Sequence, residues 1–345
     1  MRRTILFTFL VTVFVFSESR AVFAENFTIL TMGDLLIANA VEKRMDSKGK
    51  DYPFKKLRPY LEKYDIVVAN LETPVTLRGN PHPSKKWTFK TRPDTAGHLK
   101  TLNIHVLSLA NNHLMDYGTQ GLEDTVKFVK EAGFYYSGAG INLDEARKPA
   151  ILNKNDSKLV FLSYCERPPM DMYAKKTSAG IAPIDIDIIR SDIKRYKGHN
   201  VFVFVSLHWG IERTRYPRKD QITTAHAIID AGAEAIIGHH PHIPQGIEVY
   251  KGKPVIYSLG NAVCGFYNRE YTSNIMVSFH YSKGKMEKLE IIPMAGDNYK
   301  IHFQPYVERG AEARVTLAKI IEISAPFKTA ISIENSRGVV RFDNP

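Results

Sequence analysis

Residues 235–261 read AIIGHHPHIPQGIEVYKGKPVIYSLGN. The apolar run Ala235-Ile236-Ile237 reads as the end of a buried strand that delivers the chain into Gly238-His239-His240-Pro241-His242. The glycine permits a sharp exit from the sheet. Pro241 fixes φ and biases the residue before it towards extended backbone. His240 and His242 are therefore expected two residues apart on a stiff, extended loop that can aim both imidazoles at one centre. A lone histidine usually bonds a nearby carbonyl, but three within four residues at a strand end point to a metal site.

The same pattern recurs upstream. Phe27–Met32 is an apolar strand ending at Gly33-Asp34, Ile66–Ala69 ends at Asn70-Leu71-Glu72, and His105–Ala110 ends at Asn111-Asn112-His113. Lys158–Tyr164 is a further strand, and Val201–Leu207 is fully apolar and ends at His208-Trp209-Gly210. Helical periodicity marks 121–132, 187–196 and 220–231, with Gly133 as a stop signal after the first. Continuous apolar strands alternating with helices predict an α/β fold whose sheet is covered on both faces. Beyond Asn261 the pattern changes to longer alternating strands at 273–281 and 286–292 and a helix at 310–324. No period of 20 to 50 residues repeats.

At 345 residues, with 44% apolar and 24% charged residues, the chain is long enough for one large globular domain or two smaller ones. Its first 24 residues form a separate unit. Arg2-Arg3 is a basic start, Thr4–Phe16 is an apolar run short for a membrane span, and Val22-Phe23-Ala24 offers small residues for signal cleavage. Export is therefore expected, with a main domain at 25–270 and a segment at 271–345 completing or appended to it; an uncleaved signal would tether the protein to a membrane. The formal charge is +11; removing Arg2, Arg3, Arg20 and Glu18 leaves +9. Export argues against nucleic acid, and a basic exported protein suits an anionic polymer or surface. The two cysteines, Cys165 and Cys264, leave a disulfide open.

In sheets of this kind, side chains at the C-terminal strand ends converge on one crevice. Asp34, Glu72, Asn112, His113, His208, His240 and His242 all lie at such ends. Carboxylate and amide oxygens mixed with imidazoles, without thiolates, suit Mn, Fe or Zn as divalent ions. The donors outnumber what one ion needs, so two ions sharing a carboxylate are expected.

Six ordered blocks carry a resemblance. They are Gly33-Asp34, Asn70-Leu71-Glu72, Asn111-Asn112-His113 with Asp116 and Gly118, His208-Trp209-Gly210, His240-Pro241-His242 and Ser258-Leu259-Gly260-Asn261. They resemble the motifs of the bacterial capsule synthesis protein CapA family, also called the poly-γ-glutamate synthesis protein family, which is similar to the calcineurin-like metallophosphatases. The resemblance implies a β-sandwich flanked by helices in four layers, α/β/β/α. It also implies a two-metal centre on Asp34, Glu72, Asn112, His208, His240 and His242, with Asp34 and His113 in the chemistry. Two departures stand out: Leu35-Leu36 replaces the histidine expected two residues after Asp34, and Glu72 stands where an aspartate would bridge the metals.

The run Lys85–Pro93 interleaves cations with aromatics. By resemblance it faces the crevice, so Phe89, Lys90 and Arg92, with Trp209 and Asn261, make up the expected substrate-contacting set. The function implied is synthesis, export or processing of an anionic capsule polymer such as poly-γ-glutamate, with His113 as general acid or oxyanion donor in a metal-dependent hydrolase. A polymer-binding accessory subunit of a membrane synthase and a small-substrate phosphoesterase remain open beside it.

Overall fold

The structure is a computed structural model that describes residues 26–166 and 168–342; the signal-type segment at 1–24 lies outside them. Two sheets lie face to face. In the nine-stranded one, Phe27–Leu36, Ile66–Leu71 and Val106–Ser108 run parallel, while Ser273–Ser282 pairs antiparallel with the first of them. In the six-stranded one, Ser157–Cys165, Val201–His208, Ala235–His239 and Lys253–Ile256 are parallel neighbours.

The layers follow from period-two alternation. Ile66 and Val68 of the first sheet meet Phe204, Ile237 and Ile256 of the second in one apolar layer between the sheets. The alternate residues face outward. Val67 and Ala69 pack with Leu99, Leu122 and Val129 from helices Asp94–Lys100 and Gly118–Glu131. Val203, Val205 and Ile236 pack with Ile189, Ile193, Ala225 and Ile228 from helices Ile186–Tyr196 and Lys219–Ala231. The architecture is the four-layer α/β/β/α sandwich. Both outer faces of the parallel strands are covered, which is why those strands read as unbroken apolar runs.

The stretch 235–261 belongs to both sheets. It begins as an inner strand of the six-stranded sheet, returns through Ile247–Tyr250 and Lys253–Ile256, and crosses over so that Asn261–Cys264 pairs parallel with Phe27–Leu36. The segment from 273 onward supplies two long strands to the nine-stranded sheet, and helix Gly310–Ser324 inserts Leu317, Ile320 and Ile323 into the layer between the sheets. Cys165 and Cys264 are buried in different clusters and are not joined in a disulfide.

The crossover requires contact between two backbones. A Cβ on Gly33 would stand 1.9 Å from the Gly260 carbonyl oxygen, the atom that accepts the Asp34 amide at 3.0 Å. Gly33→Ala should therefore cost about 2 kcal/mol or more by overpacking. Gly97, inside a helix with nothing within 4 Å of its ideal Cβ, makes the contrast. Gly97→Ala should leave stability unchanged or raise it by up to about 1 kcal/mol. Thermal melts of the two variants check this, and equal melting temperatures would refute the contact argument.

Candidate metal centre

The alternation that builds the core also delivers the site. Counting by twos from Ile66 and Val68 reaches Asn70 and Glu72; from Phe202 and Phe204 it reaches Ser206 and His208; from Ala235 and Ile237 it reaches His239. All point between the sheets at the same end of the sandwich. Asp34 obeys the count only because the pairing of its strand shifts between Thr31 and Asp34. Without that bulge it would share the helix-covered face with Leu30 and Met32. His240 and His242 depart from the expected extended loop. Both have left-handed backbone, φ 95° and 59°, so the chain coils around Pro241.

Two ligand triads result, Glu72/His208/His240 and Asp34/Glu72/His242, each with its ligand atoms within 4.8 Å of one another. Glu72 belongs to both. Its Oε1 lies 3.4 Å from His208 Nε2 and its Oε2 3.9 Å from His242 Nδ1. Both oxygens are buried without any hydrogen bond. Leaving such atoms unsatisfied costs on the order of 1–3 kcal/mol each, more when charged, and a cation between the triads would satisfy both. Asn112 adds its Oδ1 at 2.8 Å from His208 Nε2, and His240 Nδ1 is 3.2 Å from the same nitrogen. The donor set therefore fits divalent ions, with four donors around the first triad and three in the second.

Amides hold the cluster in place. Asn70 Nδ2 donates to Asp34 Oδ1 at 2.8 Å, and Asn111 Nδ2 donates to Asn70 Oδ1 at 3.2 Å and to the Leu71 carbonyl at 2.8 Å. Asn261 pairs its Oδ1 with His242 Nδ1 at 2.9 Å and donates Nδ2 to the His242 carbonyl at 3.1 Å. Burial alone would raise the Asp34 carboxyl, but the close imidazoles of His239 and His242 hold it well below the usual carboxylate range. Burial, reinforced by the Asp34 charge, pushes Glu72 well above its own range. Burial also opposes charge on His242, yet Glu72 and Asp34 outweigh it and raise the ring to about 10. His208, buried beside His240, is driven well below the usual imidazole value.

His113 stands beside the triads on a separate support. Its Nδ1 meets Asp116 Oδ2 at 2.8 Å, and Phe89 packs on its ring at 4.6 Å between centroids. Lys85 reaches in, donating to the Asn112 carbonyl at 2.5 Å, ion-pairing with Asp116 and lying 3.2 Å from His113 Nδ1. Burial lowers the His113 pKa, with Asp116 partly opposing, so the ring is neutral and Nε2 is the nitrogen left for a bound molecule.

A crevice of about 520 Å³ opens over Asn112, His113 and His242. Phe89 lines it, as do Lys85, Lys86, Trp87 and Arg213. The other expected substrate contacts lie elsewhere. Trp209 is 1% exposed, stacks on Tyr257 and donates Nε1 to the Tyr257 carbonyl, so it is core. Arg92 is tied to Asp46 at 2.6 Å, and Lys90 sits over the Tyr117 ring at 4.3 Å. Neither lines the crevice, and Asn261 serves His242 instead. Asn70, Asn111, His239 and Lys85 stand inside the stretches read from the sequence but were not assigned to the site there. Period-two counting finds Asn70 and His239; nothing local marks Lys85, whose partners are 27 to 31 residues away.

Without metal, His242 is protonated at neutral pH and Glu72 holds its proton above the ordinary range. An ion needs both groups bare, so binding releases protons and apparent affinity rises with pH. We expect a gain of roughly tenfold per pH unit for each proton displaced between about pH 6 and 9. Calorimetric titration of chelator-stripped protein with Mn²⁺ at several pH values measures it. An affinity that is flat or falls with pH would contradict the assignment.

The family model described as bacterial capsule synthesis protein PGA_cap matches residues 28–265. The chain is 35% identical to the PGA biosynthesis protein CapA of Bacillus subtilis over 76% of its own length and 70% of that protein's. It is 32% identical to the capsule biosynthesis protein CapA of Bacillus anthracis, covering 78% and 67%. A probable polyglutamine synthesis accessory protein of Mycobacterium tuberculosis matches at 32% over 58% of this chain and 55% of that one. Among solved structures, a hypothetical protein from Thermus thermophilus superposes with a TM-score of 0.49 at 14% identity, covering 81% of this chain and 98% of that one. That likeness is too weak to bear on the chemistry. By the family match and the Bacillus relatives together, the chain belongs to the bacterial capsule synthesis protein PGA_cap family.

Proposed function

We propose that this chain is an exported, divalent-metal-dependent hydrolase acting on an anionic polymer of the poly-γ-glutamate kind, in synthesis, export or processing of a capsule. The observation that carries the reading is Glu72, a fully buried carboxylate without hydrogen bonds that belongs to both ligand triads. The names of the Bacillus relatives, PGA biosynthesis protein and capsule biosynthesis protein, support the polymer. The signal-type start of the sequence supports export. Among the described residues no helix is long and apolar enough to cross a membrane. The partners implied are the polymer and the membrane synthase that makes it.

Asp34, Glu72, Asn112, His208, His240 and His242 would hold two ions, with Mn, Fe or Zn the fitting identities. When bound, such a pair supplies Lewis acidity and an activated water. His113, fixed by Asp116 and neutral, holds or takes a proton at Nε2 beside a substrate in the crevice. Lys86 and Arg213 face the same crevice and can meet substrate carboxylates, while Trp87, 61% exposed, offers a flat apolar face at its rim.

A second reading has its own observation. Leu36 lines the crevice where the resemblance implies a histidine, leaving the Asp34 triad a donor short, and this favours a polymer-binding accessory role without turnover. Glu72→Gln separates the two. Under the hydrolase reading, metal content by elemental analysis and release of short γ-glutamyl products fall together while the fold survives. Under the accessory reading the wild type releases no product and the variant captures polymer as well as the wild type. Unchanged metal content in the variant would remove Glu72 from the site, and hydrolysis by metal-free wild type would remove the mechanism.

Two further substitutions probe the chain's own roles. His113→Asn should lower turnover by roughly 10²–10⁴-fold with metal content unchanged, as for loss of a general acid–base group. Lys86→Gln and Arg213→Gln should each weaken polymer capture by roughly two- to fivefold, the worth of a solvent-screened ion pair, and the difference should shrink in high salt. Equal capture by these variants and the wild type at low salt would move the polymer elsewhere.

A further inference from the structure

His239 is absent from both ligand triads, yet it is as deeply placed as their members, 2% exposed and on the inter-sheet face of its strand. It pairs in register with His208 on the neighbouring strand. The two rings part from there: His208 Nε2 goes to Glu72 and Asn112, whereas His239 Nδ1 lies 3.2 Å from Asp34 Oδ1. The contact is close but not well aligned for a hydrogen bond. The two Asp34 oxygens have different company. Oδ1 receives Asn70 Nδ2 at 2.8 Å and faces His239; Oδ2 lies 3.2 Å from the His240 amide and 3.4 Å from His242 Nδ1, on the triad side.

We propose that His239 is a positioning residue for one half of the metal centre: with Asn70 it holds Asp34 Oδ1, so that Oδ2 serves the Asp34/Glu72/His242 position. It does not act on the Glu72/His208/His240 position. This rests on the metal-site reading above. The argument is one of orientation and linkage. A close but unaligned imidazole–carboxylate contact strengthens or weakens as the carboxylate turns, and ligation of Oδ2 fixes that turn. By reciprocity, whatever His239 gains from the fixed carboxylate it returns as affinity for the ion. The Asp34 position, with three donors against four, is the one with least affinity to spare. Groups that orient a ligand in this way typically account for 10–100-fold in metal affinity.

The test uses the full chain without its first 24 residues, stripped with chelator and titrated with Mn²⁺. Calorimetry counts the sites, and electron paramagnetic resonance reads the spin coupling that appears only when two Mn²⁺ ions lie close together. The wild type should take two ions and show coupling. His239→Phe, which keeps ring volume but loses the nitrogen, should keep the tighter site and weaken the other by 10–100-fold, so that coupling vanishes at ion concentrations that saturate the wild type. His239→Ala should do the same, which covers a failure of the phenylalanine variant to fold, and His239→Gln should recover part of the loss by restoring a donor. If all three variants titrate as the wild type does, or if both sites weaken alike, the positioning role is refuted while the metal centre stands. A wild type that takes up no Mn²⁺ refutes the metal reading itself.

Discussion

Asp34 and Glu72 are two fully buried carboxylates at the ends of adjacent parallel strands, and the surrounding structure is arranged around their charge. Among the described residues neither forms an ion pair with a lysine or arginine. The cations nearest in function, Lys85 and Arg213, go to Asp116 and Glu270 instead. What faces the two carboxylates is a set of imidazoles and amides, groups that accept a cation as readily as they donate a proton. An ion pair would have closed the site with fixed charge; this arrangement leaves it open to a divalent ion. The choice of side chains is therefore itself evidence about the site, beyond their proximity.

Much of this was legible in the sequence, because strand alternation and strand ends are local properties. Apolar runs ending in Asp, Glu, Asn and His located the inter-sheet face and the edge where ligands gather. What the sequence could not reveal was which strands share a sheet. Val201–His208 and Ile66–Leu71 read alike but lie in different sheets, and the sandwich came only from the resemblance. The shift between Thr31 and Asp34 was equally hidden, since a bulge is decided by the partner strand. At Pro241 the local rule gave the wrong backbone: restriction before proline predicted extension, whereas both flanking histidines have left-handed φ, the kind of strained backbone that clusters at ligand sites.

The basic run shows the other limit. Lys85, Lys86, Lys90 and Arg92 are similar in sequence, and nothing local ranks them. Their fates are set by distant partners: Asp116 takes Lys85 inward, Asp46 holds Arg92 on the outer surface, the Tyr117 ring occupies Lys90, and Lys86 stays at the crevice. Long cationic side chains are placed by tertiary contacts, so a charge run predicts a surface and not a site.

The cost of the cluster bears on which function it serves. A domain of this kind is stable by roughly 5–15 kcal/mol, and a single uncompensated buried charge removes several of them. Binding an anionic polymer requires exposed cations, which this protein has in Lys86 and Arg213 and which do not depend on carboxylates in the core. Capture alone therefore gives no reason to keep Glu72 buried and unbonded between three histidines and an aspartate. Sites where local rules are broken without an evident structural gain are where function is expected. The asymmetry of the two triads agrees with this. Both positions reach the crevice, the four-donor one through Asn112 and the three-donor one through His242, so each borders the space lined by Lys86, Trp87 and His113, and the position with fewer protein donors has more coordination left for whatever occupies that space.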